Sequence, residues 1–389
     1  MRQGHLHLDE SASSNGRRTA ILEVPGREPF HLWFEAEQRP LAVETGGDPF
    51  LIATILHWMR ESCNVHVHAS VSEEVLAGLT EWQGAWARWL PKTYRSITIS
   101  ADKVRADPPC GTKGIVAFSG GVDASYTVRR HVTGSAGWQT VDIASALLVH
   151  GFDIPLGHVA SFGVAKQRAQ RILDDTNLDL VVLATNLRDL GLEWEHSFGT
   201  AVAAALTLLA PRHGIGLIGS GSPYDRLQLP WGSSPMTDQL LSSGLMDIRH
   251  DGAGASRTDK IRLLAGWPAA TEDLRVCWEA EELGGNCGRC EKCQRTRVSF
   301  RLAAIENPRC LPPSDLSLRR LQLRSAGQFS EWESLAAEAY AGGDHRLGRE
   351  LDALVRKNRM RAMAQNSAWL SLVRGARGHA GRLVRRWLH

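Results

Sequence analysis

The stretch Gly114–Ser125, G-I-V-A-F-S-G-G-V-D-A-S, decides the fold. Ile115 to Phe118 form a short apolar run, suited to a strand buried on both faces. Ser119-Gly120-Gly121 breaks the run, and Val122–His131 continues in a sequence that can be helical. A strand that ends in a glycine turn and opens a helix aims several backbone N–H groups at one point. The helix N-terminus adds positive partial charge there, so an anion can bind. Glycines let the backbone approach that anion without a Cβ clash. Ser119 adds a hydroxyl, and Asp123 adds a carboxylate able to hold a Mg²⁺ ion that bridges phosphates. The Walker spacing G-x-x-x-x-G-K-[ST] is missing, which excludes a P-loop NTPase.

Downstream, strands and helices alternate. Ala144–Val149 reads as a strand ending in His150-Gly151-Phe152-Asp153, and Phe162–Asp174 as a helix. Leu180–Ala184 is a third strand, Glu195–Leu209 an alanine-rich helix, and Ile215–Ile218 a fourth strand ending in Gly219-Ser220-Gly221-Ser222. This alternation predicts an α/β fold, a parallel sheet with right-handed crossovers and helices on both faces. Ligands of such sheets lie at the carboxyl ends of the strands. The polar clusters can therefore converge, with Ser119, Gly120, Gly121, Val122, Asp123, Ser125, His150, Gly219 and Ser220 around one bound nucleotide. Leu229–Ser234, with Trp231 and the following Asp238, is a candidate substrate lid. Ser256–Gly266 carries a capping box, Ser256 with Asp259, at the start of a helix that presents Arg257 and Lys260.

Cys277, Cys287, Cys290 and Cys293 follow in the spacing C-x9-C-x2-C-x2-C. Two cysteines with two residues between them grip one metal through a tight turn, and four thiolates fill the tetrahedral shell of Zn²⁺. No open position remains, so this metal is expected to be structural. An iron–sulfur cluster uses the same ligands. Cys63, Cys110 and Cys310 read as ordinary thiols.

The chain of 389 residues is long enough for two or three domains. Residues 1–108 read as a separate α+β domain closed by Pro108-Pro109, 109–310 as the nucleotide-binding domain, and 311–389 as a helical extension. Within the first segment, residues 1–20 read as polar and loose, and Ile21–Phe34 as a hairpin or two strands. Asp48-Pro49 reads as an N-cap followed by proline, Asn64–Ser70 as a strand with His66 and His68 on a solvated face or as ligands, and Ser72–Leu90 as a helix whose Trp82, Trp86, Trp89 stripe packs in a core or interface or stacks a base. The last 79 residues carry 14 Lys and Arg against 7 Asp and Glu, so the net charge of +3 has its basic part in the tail. Its end holds Arg374, Arg377, Arg382, Arg385 and Arg386 beside Trp387, a pattern for a solvated basic helix, or for nucleic acid or an acidic partner. No apolar run reaches membrane-spanning length and the first residues do not form a signal peptide, so a cytoplasmic chain without a membrane partner is expected.

Gly114–Ser125 resembles the S-G-G-x-D-S pyrophosphate loop of the PP-loop ATP pyrophosphatases, with Ala124 at the usual serine and Ser125 one place later. The run C-G-R-C-E-K-C at 287–293, after that loop, is similar to the zinc site of the 7-cyano-7-deazaguanine synthase family, and the likeness spans about residues 110–310. Arg257 matches the lysine of a short S-K-A-E-I run of that family. The resemblance implies an ATP-dependent carbon–nitrogen ligase that uses ATP, Mg²⁺ and structural Zn²⁺. Asp123, Arg257 and Lys260 would be catalytic, and the products would include AMP and pyrophosphate. Its implied substrates are a small-molecule carboxylate, of the 7-carboxy-7-deazaguanine type, and an amine. The amine is free ammonia or, in relatives associated with anti-phage systems, a protein acceptor. A tRNA-modifying PP-loop enzyme and a nucleotide-binding scaffold are the rival readings. The oligomeric state is open, a homo-oligomer included.

Overall fold

The computed structural model describes residues 2–364 apart from 15, 38, 39, 109, 211, 278, 281–283, 314, 315 and 317. The N-terminal segment forms β1 (Arg2–Leu8), β2 (Arg17–Glu23), β3 (Phe30–Ala36), α1 (Asp48–Glu61), β4 (Cys63–Ser72), α2 (Glu73–Trp89) and β5 (Ile99–Arg105). Then follow β6 (Gly114–Ala117), α3 (Val122–Val132), β7 (Ile143–His150), α4 (Val159–Leu173), β8 (Asp179–Thr185), α5 (Trp194–Thr207), β9 (Ile215–Gly219) and β10 (Asp247–Asp251). The chain continues through α6 (Arg257–Ala265), α7 (Pro268–Asp273), α8 (Glu291–Leu302), α9 (Ala326–Ala341) and a last helix over 345–364.

All ten strands join one sheet in the order β10-β9-β6-β7-β8-β3-β2-β1-β4-β5. Strands β10 to β8 of that order are mutually parallel, as the apolar runs predict. Strand β3 then pairs antiparallel with β8, Phe34 opposite Thr185. Residues 1–108, expected as a separate domain, thus extend the same sheet. They also share a core with it: Leu6, Phe34, Trp58 and Trp86 cluster with Leu183, Ala204 and Ile248.

Two local expectations change. The supposedly loose first residues form β1, inside the sheet between β2 and β4. The physical reason is the alternation H-L-H-L at 5–8, which gives β1 one buried row, with Leu6 fully enclosed, and one open row with His5 and His7. Asp48 is not an N-cap. Gly47 holds that position, and the Asp48 carboxylate turns inward to accept from Ser72 N at 2.8 Å and to pair with Arg105. The hairpin, the α2 helix with Ser72 as its cap, and the tryptophan packing do appear, Trp82 and Trp86 both being fully buried.

The second core lies on the other side of the parallel strands, where Val116, Leu148 and Leu217 meet apolar residues of α3, α4 and α6. A third core, with Trp332, Leu335, Leu347 and Leu351, binds the C-terminal helices to each other and to Val298 of α8. Among the described residues no helix is long and apolar enough to cross a membrane. The basic cluster at 374–386 lies outside the described residues.

Candidate functional site

Strand β6 sits with β7 and β8 on one side and β9 and β10 on the other. The winding reverses at the β6/β9 boundary, and a crevice opens there beyond the carboxyl ends of the strands. The Ser119–Gly121 turn forms its floor. Gly120 has φ +73°, a left-handed conformation that suits glycine, and Gly121 caps α3. At the end of β9, a Cβ on Gly219 would lie 2.9 Å from the Asp123 carbonyl oxygen, so only glycine lets this strand end close on α3.

Helix α6 begins with the expected capping box, Ser256 accepting from Asp259 N at 3.2 Å and Asp259 from Ser256 N at 3.1 Å. That start fixes two buried cations against Asp123. Lys260 Nζ donates to Asp123 Oδ1 at 2.8 Å and also to the Ser220 carbonyl. Arg257 Nη1 lies 3.6 Å from Asp123 Oδ2, while its Nη2 donates to Thr296 at 3.0 Å. Burial pushes the Asp123 carboxyl up, yet Lys260 and Arg257 outweigh it and hold the group below the usual carboxylate range.

Two further cations, missed in the sequence, complete the ring. Arg275 donates its backbone N–H to Gly120 O at 2.8 Å, and its Nη2 lies 3.2 Å from Asp153 Oδ2. Lys292, on the first turn of α8, lines the same recess, and burial together with the nearby Arg257 pushes its ammonium down to about 8. Arg257, Arg275 and Lys292 thus face Ser119, Gly121, Val122 and Asp123 around a polar recess of about 70 Å³. The recess opens into a larger chamber of about 300 Å³, walled by Phe152, Phe162, Trp194, Phe198 and Trp231, with Asp153, Glu195 and Ser233 as polar points. A small anionic group fits the first space and a flat ring the second.

The residues named from sequence land unevenly. Ser119, Gly121, Val122, Asp123, Gly219 and Arg257 line the recess or the chamber. Gly120 shapes the turn and Lys260 stands behind Asp123. Ser125 is wholly buried in α3, Ser220 spends its hydroxyl on Ser222 O at 2.7 Å, and His150 stacks on Phe162 while its Nε2 lies 3.1 Å from Pro155 O. The Trp231 loop, expected as a lid, contributes Trp231 to the chamber wall. Gly232 N donates to Glu195 O at 2.7 Å, and Asp238 pins the loop by accepting from Ser233 Oγ and Ser234 N at 2.6 and 2.9 Å.

The four cysteines meet beside the recess. Sγ separations are 3.5 Å for Cys277–Cys287, 3.6 Å for Cys277–Cys290 and 4.0 Å for Cys287–Cys293. A tetrahedron with zinc–sulfur bonds of about 2.3 Å requires edges of roughly 3.8 Å, so the sulfurs can hold a metal such as zinc. These distances are too long for a disulfide. Backbone N–H groups of Glu279, Cys290 and Cys293 point at the sulfurs at 3.3–3.4 Å. Asn286 knits the site together, accepting from Val276 N and Cys277 N and donating to Leu274 O and Cys310 O. Lys292 immediately precedes Cys293 and Arg275 stands two residues before Cys277, so the cluster helps set the position of both cations. The K of C-G-R-C-E-K-C was the available signal for Lys292. Arg275 offered none, because its neighbour across space, Gly120, is 155 residues away in sequence.

Comparison with family models, curated proteins and solved structures gives no significant match for this chain.

Proposed function

We propose that the chain is a PP-loop enzyme, splitting ATP between its α and β phosphates. More narrowly, we read it as a carbon–nitrogen ligase that activates a carboxylic acid of the 7-deazaguanine type. The observation that carries this reading is the convergence of Arg257, Arg275 and Lys292 on the Ser119–Asp123 turn, at the mouth of an aromatic-walled chamber. Such a recess suits pyrophosphate, and the chamber suits a flat heterocycle.

In this reading the acid's carboxylate oxygen attacks the α-phosphorus, and the bond to the α–β bridging oxygen breaks. Pyrophosphate leaves with its charge met by the three cations and by the amides of the turn. The amine then attacks the acyl carbon, loses a proton and expels AMP. Asp123 orients Lys260 and Arg257 through the contacts described above. Both its oxygens face cations, so a Mg²⁺ ion carried in by the nucleotide meets Asp123 only in competition with them. No step here needs a metal on that carboxylate.

Incubation with ATP, 7-carboxy-7-deazaguanine and ammonia tests the reading. AMP formation that depends on the acid supports it, and ADP as the product overturns it. AMP formed only when a protein amine replaces ammonia identifies the protein-acceptor variant. One observation favours a second reading. Ala124 supplies no hydroxyl, and Ser125 is enclosed too deeply to replace it. That arrangement suits a nucleotide-binding scaffold, for which ATP binds and no AMP appears.

A further inference from the structure

Four histidines meet on the open face of the N-terminal half-sheet, far along the sheet from the cysteine cluster. Parallel pairing of β1 with β4 sets His5 opposite His66 and His7 opposite His68. Side-chain alternation places all four on the face away from Leu6, Val65 and Val67, which are fully buried. The side chains of His7 and His68 are 37% and 33% exposed. His5 Nδ1 and His68 Nε2 are 2.9 Å apart, and the rings of His7 and His68 stack at 4.1 Å with an interplanar angle of 3°. One ring nitrogen from each of His5, His7 and His68 falls within 4.8 Å of the other two, and since an imidazole binds a metal in its own plane, one of the two stacked rings must turn for all three to reach one ion.

Two carboxylates stand near this trio, each beyond hydrogen-bond distance of its imidazole. Asp102 Oδ1, on β5, lies 3.6 Å from His68 Nδ1, the nitrogen opposite the one that faces His5. Glu23 Oε2, on β2, lies 3.5 Å from His7 Nε2. A carboxylate hydrogen-bonded behind a histidine fixes its tautomer and strengthens the other nitrogen as a ligand, and an ion bound to the trio would favour drawing Asp102 and Glu23 in to that distance. His66 has both nitrogens engaged, with Ser100 Oγ and Asp102 Oδ1 at 2.8 Å each, so it supports Asp102 and leaves the ligand role to the trio.

We propose that His5, His7 and His68 form a second metal site, for a divalent ion of the imidazole-binding class such as Zn²⁺. Imidazole donors without thiolate suit zinc, copper and nickel. Three protein ligands leave a coordination position for water or an anion, unlike the closed four-cysteine set. The site is independent of the nucleotide reading.

The test is Zn²⁺ binding to the full chain, by metal analysis after dialysis against buffered free Zn²⁺. The wild type should retain two ions per chain. The double variant His5→Asn/His68→Asn should retain one, with an unchanged circular dichroism spectrum, because these side chains lie on an open face. Cys290→Ser should lose the other ion and keep the histidine-bound one. Asp102→Asn should weaken the histidine site by about tenfold or more. Equal zinc content in the wild type and the double histidine variant overturns the site. An unchanged affinity in Asp102→Asn overturns the orienting role given to that carboxylate.

Discussion

The two halves of the sheet are built on different rules. The parallel half, β10 to β8, is covered by helices on both faces, and its strands are short apolar runs. Its polar chemistry is confined to the strand ends. The N-terminal half, β3 to β5, is covered on one face by α1 and α2, and the other face carries His5, His7, His66, His68 and Asp102. A strand buried on both sides can place functional groups only at its tip, whereas a half-covered strand can display them along its length. The candidate anion recess and the histidine cluster follow that difference.

The largest effect expected concerns the parallel half. Structural zinc sites contribute on the order of 10 kcal/mol of apparent binding free energy. Cys290→Ser, or a strong chelator, should therefore unfold the region around α8 and release Arg275 and Lys292 from the recess. Limited proteolysis should then cut within 275–302 while β1–β5 stay protected. Equal protection in both halves would erase the contrast.

Next in size is Lys260→Met, which leaves the partly exposed Asp123 carboxylate with Arg257 as its remaining cation. Breaking a fully buried pair from one side costs about 3–5 kcal/mol, so a smaller loss is expected here, read as a lower urea midpoint. Adding Asp123→Asn should recover part of the loss, because the half-compensated charge is gone. No recovery would mean that Lys260 acts through packing.

In the N-terminal half, His57 is buried on α1, and burial, aided by Arg60 and Arg27, pushes its imidazole down to about 4. The unfolded chain binds this proton near pH 6.5 and the folded chain only near 4. Stability from this group is therefore full above pH 6.5 and is lost as pH falls towards 4, by about 3 kcal/mol at most. His57→Gln should flatten that part of the pH–stability curve.

The smallest effect concerns Lys292, which lines the recess. A hydrogen bond to a charged group contributes about 1.5–3 kcal/mol, so Lys292→Met should weaken pyrophosphate binding by roughly ten- to a hundredfold. Calorimetric titration with pyrophosphate checks it, and an unchanged affinity would remove Lys292 from the recess's anion contacts.

What could be read from the sequence follows the range of the interactions. The Gly114–Ser125 turn, the capping box at Ser256 and the C-x2-C knuckles are local patterns, and each forms as its spacing requires. The alternation at 5–8 is just as local, but it is short and sits beside the polar stretch S-A-S-S-N, which hid it. Pairings across long separations were not legible. Nothing near Phe34 announces β8, and nothing near Asp48 announces Arg105. The aromatic chamber likewise draws Phe152, Trp194 and Trp231 from three separate loops and helices.

The central claim is that the Ser119–Asp123 turn grips the phosphates of a nucleotide. A crystal structure with a non-hydrolysable α,β-methylene ATP analogue tests it most directly. The account predicts the β and γ phosphates in the recess, within hydrogen-bond distance of the amides of the turn and of Arg275 and Lys292. Nucleotide density elsewhere, with the turn's amides facing only solvent, would contradict it.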